Sequence, residues 1–524
     1  MRPRHLSDLA MNPPAPSRAP HPLYSVARIR TIEERELAAN PPGTLMARAG
    51  KAAAAMLLQL FGNRTEPRIL FLVGPGNNGG DALEAASLVA DMAQASALCM
   101  HDPALLSGDA RHAYDKARRS GIEFLDAADW RAALAREWDC IVDGLFGIGL
   151  VRPLRDDYRR LVETLNGMPV PVLALDVPSG LDADGGNVVG PDGVAVVADW
   201  TLTFIADKTG LHTGHGRDHC GEVRVAALDI DPARHAHADA LLNHPALFTP
   251  ALQPRRHNSH KGSFGDVHVL GGAAGMAGAA ILSARAALHA GAGRVFAAFV
   301  GPAPAYDPPF PELMCRQAQE LEHADATLVA GPGLGTGEDA GRLLDAALEN
   351  CRAAVLDADA LNLIALVPVR QQRVAQRCAD FPCILTPHPL EAARLLGSTA
   401  ALVQSDRLAA ARQLAQRFGC VAVLKGSGTI IASPDGLAVI NPTGNPGLAS
   451  AGTGDVLAGL CGALLAQGMP AREAALAAVW LHGAAADTLV AKGIGPTGMH
   501  AGELMLPIRT CLNAAINAGA TGAA

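Results

Sequence analysis

Ile69-Leu70-Phe71-Leu72-Val73 runs directly into Gly74-Pro75-Gly76-Asn77-Asn78-Gly79-Gly80-Asp81-Ala82-Leu83, and this junction decides the fold. A short apolar run ended by glycines reads as a buried strand, and Leu83, Ala86, Ala90 and Ala93 follow at helical spacing. Strand, loop and helix in that order begin a βαβ unit, which implies a parallel sheet. Glycines at such a junction let backbone N–H groups approach an anion at the helix N-terminus. Asp81 would repel phosphate there, so it serves a metal, a sugar hydroxyl or a proton transfer.

Further strands are expected at 97–100, 140–142, 170–175, 200–205 and 223–227. A boundary falls near 231–255, where Asp231-Pro232, a His/Ala-rich stretch, Pro245, Pro250 and Pro254 interrupt the rhythm. The pattern then restarts with Val267–Leu270, Gly271-Gly272 and an Ala-rich helix over 277–290, followed by strands at 295–299, 327–330, 354–356, 383–386, 421–424 and 429–432. The expected architecture is therefore α/β, as two α/β/α domains of three layers at 24–235 and 250–520, with a disordered leader at 1–23 and a linker at 236–249. Functional side chains should lie beyond the C-terminal strand ends.

Composition narrows the function. Hydrophobic residues make up 49% of 524 and charged ones 18%, enough for large cores and too apolar for a disordered chain. The net charge of −8 and the lack of a basic stripe give no footprint for nucleic acid. No uninterrupted apolar run reaches the length of a membrane span, and the proline-rich start, with a possible second start at Met11, has no signal-peptide core. Ten cysteines include no CxxC pair; Cys378 and Cys383 are too irregularly spaced for zinc, so reduced buried thiols are expected. The expected setting is cytoplasmic, with no membrane or nucleic-acid partner and with assembly into a homo-oligomer.

In the first half, Gly74–Gly79 formally fits G-x-G-x-x-G, and Asp102 stands at about the dinucleotide-binding distance, so an ordinary dehydrogenase fingerprint is one reading. Two further acid-bearing segments, Asp143-Gly144-Leu145-Phe146-Gly147-Ile148-Gly149 and Asp176-Val177-Pro178-Ser179-Gly180, compete with it. Asn78, Asp143 and Ser179 offer oxygens, which suit a hard cation, although Asp143 and Asp176 would equally serve as helix caps. GPGNNGGD, DGLFGIGL, DVPSG and Lys208 in FIADKTGL resemble the YjeF N-terminal family, the NAD(P)H-hydrate epimerases, in a Rossmann-like domain. The resemblance implies potassium held by Asn78, Asp143 and Ser179. It implies substrate contacts at Asn77, Asn78, Gly79, Gly80, Asp81, Gly147, Ile148, Gly149, Leu150, Val151, Arg152, Pro153 and Asp176. Asp176 is the acid/base candidate, and Ala82 stands where the family commonly has Gly.

The second half carries His260-Lys261-Gly262, Gly331-Pro332-Gly333-Leu334-Gly335, Asp357-Ala358-Asp359-Ala360-Leu361-Asn362, Thr386-Pro387-His388-Pro389, Lys425-Gly426-Ser427-Gly428-Thr429 and Gly452-Thr453-Gly454-Asp455. None is a Walker A loop, but the amides of Gly452–Gly454 at a helix start suit a phosphate, and Asp455 there can take a proton from a hydroxyl. Singly, His388 reads equally as a satisfied loop histidine and Lys425 as a solvent-seeking side chain. As a set they resemble the YjeF C-terminal, ribokinase-like family, the ADP-dependent NAD(P)H-hydrate dehydratases, over about 260–484. That resemblance implies hydrate contacts at Ala279, Gly333, Gly335, His388 and Asp455, and an adenine-nucleotide site at Lys425, Gly426, Ser427, Gly428, Thr429 and Gly454, with Ala451 replacing a common Gly. It also implies Mg²⁺, ADP as co-substrate and Asp455 as the base. The combined expectation is a bifunctional lyase and isomerase acting on NAD(P)HX. The competing expectation is a small-molecule kinase fused to a non-catalytic nucleotide-binding module.

Overall fold

A computed structural model describes residues 20–522 of the chain, and its contacts divide near residue 240 into two compact units. The expected α/β class with parallel sheets holds in both.

The first unit is built on seven strands, ordered Glu123–Leu125, Gln94–Cys99, Arg68–Val73, Cys140–Gly144, Val172–Leu175, Trp200–Phe204 and Glu222–Ala226, each parallel to its neighbours. Alternate residues serve opposite faces. Phe71, Val73, Val142 and Leu173 join one core, while Leu70, Leu72, Ile141 and Ala174 join another. Helices on both faces explain why these strands read as continuous apolar runs rather than alternating ones. From Arg68–Val73 the chain winds first toward Glu123–Leu125, then returns to add Cys140–Gly144 on the opposite side. The topological switch therefore lies between these two strands, and the segments after them, 74–81 and 145–150, meet there.

The second unit repeats the principle in a different order. Its parallel strands are Met314–Gln317, Arg294–Phe299, Asp266–Gly271, Thr327–Ala330, Ala353–Leu356, Cys383–Leu385 and Val421–Leu424. Ile430–Ala432 then runs antiparallel to both Val421–Leu424 and Ala438–Ile440. One sheet face, from Val267, Val269, Val329, Val355 and Val423, packs on helices Ala277–His289, Thr453–Ala466 and Ala471–Ala491. Ala471–Ala491 is long and apolar enough by composition to cross a membrane, yet 67% of that window is buried within the protein as a core helix.

Two boundary expectations need correction. Residues 1–19 of the expected leader, with the alternative start at Met11, lie outside the described residues, but Leu23 and Tyr24 are buried and pair in register with Asp207 and Lys208. The linker expected at 236–249 is divided between the units, with residues 236–240 in the first and 241–249 built into the second. Leu241 and Leu242 pair with Val439 and Ile440, and Asn243 donates to Asn441 Oδ1 at 2.9 Å and to the Leu476 carbonyl at 3.0 Å. Pro245, and Pro250 just after it, fall at the start of 3₁₀ turns rather than marking free chain.

The first loop tolerates no side chain at two glycines. A Cβ at Gly74 would stand 1.7 Å from the Leu145 carbonyl oxygen, and one at Gly79 would stand 2.0 Å from that of Gly74. Gly79→Ala should therefore destabilise the first unit by about 1–3 kcal/mol or more. Differential scanning calorimetry of the full chain should show one transition moved down and the other unchanged.

Candidate active sites

The first site forms where the loops after Arg68–Val73, Cys140–Gly144 and Val172–Leu175 meet. Helix Asn77–Val89 starts inside the glycine loop, leaving Asn77 exposed while Asn78, Gly79, Gly80 and Asp81 are buried. The Asn78 amide has no hydrogen-bond partner for either its oxygen or its nitrogen. Its backbone carbonyl lies 3.1 Å from the Cβ position of Gly144, beside the fully buried Asp143. Asp143 does not cap a helix. Its Oδ1 accepts from Ser179 Oγ at 2.7 Å and from the Leu145 N–H at 3.2 Å, while Oδ2 accepts from the Ser179 N–H at 2.8 Å.

Burial pushes the Asp143 carboxyl up to about 6, against the lowering effect of those hydrogen bonds. Among the described residues it has no ammonium or guanidinium partner. A buried carboxylate, a serine oxygen and an unpartnered amide oxygen form a donor set suited to a hard cation.

Asp176 occupies the left-handed backbone region at φ 62°, and its N–H donates to the Leu202 carbonyl at 2.8 Å. A non-glycine residue held there stores strain. Its Oδ2 accepts from the Ile148 N–H at 3.2 Å, and Oδ1 pairs with Lys208 Nζ at 2.9 Å. The Lys208 ammonium is wholly buried and also donates to Thr203 Oγ1 at 2.6 Å and to the carbonyls of Phe204 and Ala206. Asp81 is pushed well above the usual carboxylate range by burial first, then by Asp176, Glu33 and Glu84. Of the 147–153 stretch, Gly147 and Ile148 adjoin Asp176, whereas Gly149, Val151 and Arg152 are exposed, Leu150 is half-buried and Pro153 rests on Gly190.

In the second unit, Asp357, at the end of Ala353–Leu356, is buried and accepts from Lys425 Nζ at 2.6 Å and from Thr386 Oγ1 at 2.8 Å. Lys425 therefore turns inward and does not run to solvent. Its Nζ lies 3.5 Å from the Cβ position of Gly454, so it adjoins the start of helix Thr453–Ala466. Burial lowers the lysine's proton affinity, but Asp357 and Glu391 more than offset this, leaving it raised. Asp455, in the first turn of that helix, is pushed up to about 6 by burial and then by Asp357, with Lys425 opposing.

Ala279 and Gly333 adjoin, since the Ala279 methyl is 3.2 Å from the Gly333 Cβ position, and the Gly335 N–H donates to Asp359 Oδ2 at 2.8 Å. His388 caps helix Pro389–Leu396. Its Nδ1 accepts from the N–H groups of Leu390 and Glu391, and the Glu391 side chain returns to the His388 N–H at 2.8 Å. Gly426 and Ser427 are exposed, and Thr429 Oγ1 donates to the Gly426 carbonyl at 3.0 Å.

The sequences of the two units match two known domain families. A family of YjeF-related N-terminal proteins matches residues 42–210, and the NAD(P)H-hydrate dehydratase family matches residues 267–508. The bifunctional NAD(P)H-hydrate repair enzyme of Coxiella burnetii is 38% identical over 506 residues, covering 94% of this chain and 99% of its own length. The chain belongs to the bifunctional NAD(P)H-hydrate repair enzymes. The enzyme of that name from Escherichia coli is 38% identical over 521 residues, covering 95% of both chains. An ADP/ATP-dependent NAD(P)H-hydrate dehydratase from Bacillus subtilis, co-crystallised with ATP and Mg²⁺, is 30% identical, covers 52% of this chain and 98% of its own, and superposes with a TM-score of 0.45.

Four side chains adjoin these constellations although sequence patterns assigned them no role there. Lys208 stood in a motif, but its pairing with Asp176 spans 32 residues. Asp357 and Thr386 likewise meet only through the sheet. Glu33, on helix Val26–Ala39, acts electrostatically on Asp81 and Asp176 and is itself raised by burial and by Asp176. His212 and His235 pair with Asp207 and Glu36 at 2.8 and 2.9 Å.

Replacing Lys208 by methionine leaves the Asp176 carboxylate without its buried counter-charge. Lys208→Met should cost about 3–5 kcal/mol. The check is thermal unfolding of the first unit, with Lys208→Arg as the charge-retaining comparison.

Proposed function

We propose that the first unit interconverts the R and S epimers of NAD(P)HX and that the second dehydrates the S form at the expense of ADP, giving AMP and phosphate. The observation that carries this reading is the placement of Asp455. Its carboxylate sits at the N-terminus of helix Thr453–Ala466, next to a Lys425–Asp357 pair and a glycine-lined entry.

At the second site, helix N–H groups and Lys425 bind the phosphates. The 425–429 loop, exposed at Gly426 and Ser427, takes the adenine nucleotide, and Ala279, Gly333, Gly335 and His388 line the hydrate. Asp455 removes the proton from the C6 hydroxyl as that oxygen attacks the terminal phosphorus of ADP. The C6–O bond then breaks toward phosphate as the ring nitrogen donates its lone pair. Loss of a proton from C5 restores the dihydronicotinamide. Mg²⁺, entering with the nucleotide, would screen phosphate charge during transfer.

At the first site, Asn78, Asp143 and Ser179 would hold potassium, which supplies a fixed positive charge beside the glycine loop. Asp176, held by Lys208 and the Ile148 N–H, moves the proton while the ring nitrogen releases and readmits oxygen at C6. Burial and neighbouring carboxylates favour the protonated form of Asp81, which suits it to donating a hydrogen bond to substrate. Nine of the ten cysteines are buried, and all are free, which suits a reducing, cytoplasmic setting.

The test is recovery of NADH absorbance from a mixture of R and S hydrates with Mg²⁺, K⁺ and ADP. Full recovery is expected. Recovery of the S fraction alone would reduce the first unit to a binding module, and no recovery with ADP or ATP would overturn the reading. Asp176→Ala should leave only the S fraction recoverable, and Asp455→Asn should abolish dehydration while nucleotide still binds.

A base must be ionised to act, and the folded carboxyl of Asp455 titrates near 6. The rate with S hydrate should therefore rise with pH through about 6 and level above it, approximately tenfold per unit on the acid limb. A flat profile between pH 5 and 7 would place the base elsewhere.

A further inference from the structure

Cys378 and Cys383 lack zinc-type spacing in the sequence, but the fold adds a third thiol. The sulfurs of Cys378, Cys383 and Cys420 all lie within 4.8 Å of one another, and all three residues are buried. Cys378 lies on helix Pro368–Asp380, Cys383 opens strand Cys383–Leu385, and Cys420 directly precedes strand Val421–Leu424. The cluster thus occupies the N-terminal ends of two neighbouring parallel strands, whereas Lys425 and the catalytic loops follow their C-terminal ends.

We propose that these three cysteines form a trigonal thiolate site for one soft monovalent cation, Cu(I). Soft thiolates select such ions over hard ones. A metal–thiolate bond of about 2.3 Å places three sulfurs in a plane ~4.0 Å apart, so the existing triangle needs only small side-chain adjustment to close. Structural zinc takes four protein ligands, and among the described residues no histidine, carboxylate or further cysteine completes a tetrahedron. The other buried cysteines join no such group. Each of the three retains a few per cent of its surface.

Charge is the main obstacle to this site. Three thiols and one Cu⁺ give a complex of charge −2 and release three protons, with no change of oxidation state. Arg377 stands beside the cluster, next to Cys378 in the chain, where its guanidinium donates to Cys351 Sγ at 3.0 Å. It offsets part of the added charge at the one place where the helix meets both strand ends.

The test uses the reduced full-length chain under anaerobic conditions, titrated into the coloured Cu(I)–bicinchoninate complex. The wild type should withdraw one Cu(I) per chain. Cys378→Ser, Cys383→Ser and Cys420→Ser should each lose that withdrawal, and Cys351→Ser should keep it. X-ray absorption of the copper-loaded wild type should show three sulfur neighbours, and this reading needs no variant to fold. Withdrawal no greater than that of the triple variant would overturn the proposal. So would two-sulfur or nitrogen/oxygen coordination, or thiol counting that finds a disulfide within the trio after reduction.

Discussion

In each unit the site depends on two neighbouring strand ends approaching more closely than a side chain would allow. In the first, Gly74 lies against the Leu145 carbonyl; in the second, a Cβ at Gly271 would stand 2.0 Å from the Pro332 carbonyl oxygen. Both contacts fall where the chain reverses its winding direction, between the strand that begins the sheet and the one added on its other side. The backbone itself binds the contact together: Gly74 N–H donates to Gly144 at 3.1 Å, and Ala273 N–H to Gly333 at 2.7 Å. Opening either contact by one methyl group would separate the loops that hold Asn78 from Asp143, or Ala279 from Gly333.

A second constraint recurs, a buried lysine placed against one aspartate of several. A desolvated ammonium is costly unless paired and hydrogen-bonded. Lys208 meets this with a carboxylate, a hydroxyl and two carbonyls, and Lys425 with Asp357, which is itself held by Thr386. Neither lysine is free to swing, so each fixes the position of its carboxylate. Asp143 is the contrast, being equally buried but supplied only with neutral donors. The missing charge there is what a bound cation would provide.

Much of this was legible in the sequence. The run 69–73 before the glycine loop marks a central strand because it is buried on both faces, and the same signal located most of the parallel strands. Edge strands such as Met314–Gln317 escaped, since partial exposure leaves no apolar run. The boundary residues misled because prolines 245 and 250 start helical turns as readily as they break structure. His388 was left open between loop and site, although Pro389 and Glu391 after it spell a helix start with a capping glutamate. Glu33 and the Cys420 contact carried no local signal, because each meets its partners only through the tertiary fold.

The arrangement of charge around Lys425 bears on how Asp455 would work. One ammonium lies among three carboxylates, those of Asp357, Glu391 and Asp455, but its short contact is with Asp357. Had it paired with Asp455, that carboxylate would have been held ionised at low pH and would have been a weak base. By satisfying Asp357 instead, the lysine leaves Asp455 under the influence of burial and of a neighbouring negative charge, and its proton affinity rises to about 6. A base of that strength is largely ionised at neutral pH, yet takes a proton more readily than an ordinary aspartate. The same ammonium remains beside Gly454, where incoming phosphate would meet it. The one pairing would therefore set both the strength of the proposed base and the position of the charge that a phosphoryl group would encounter.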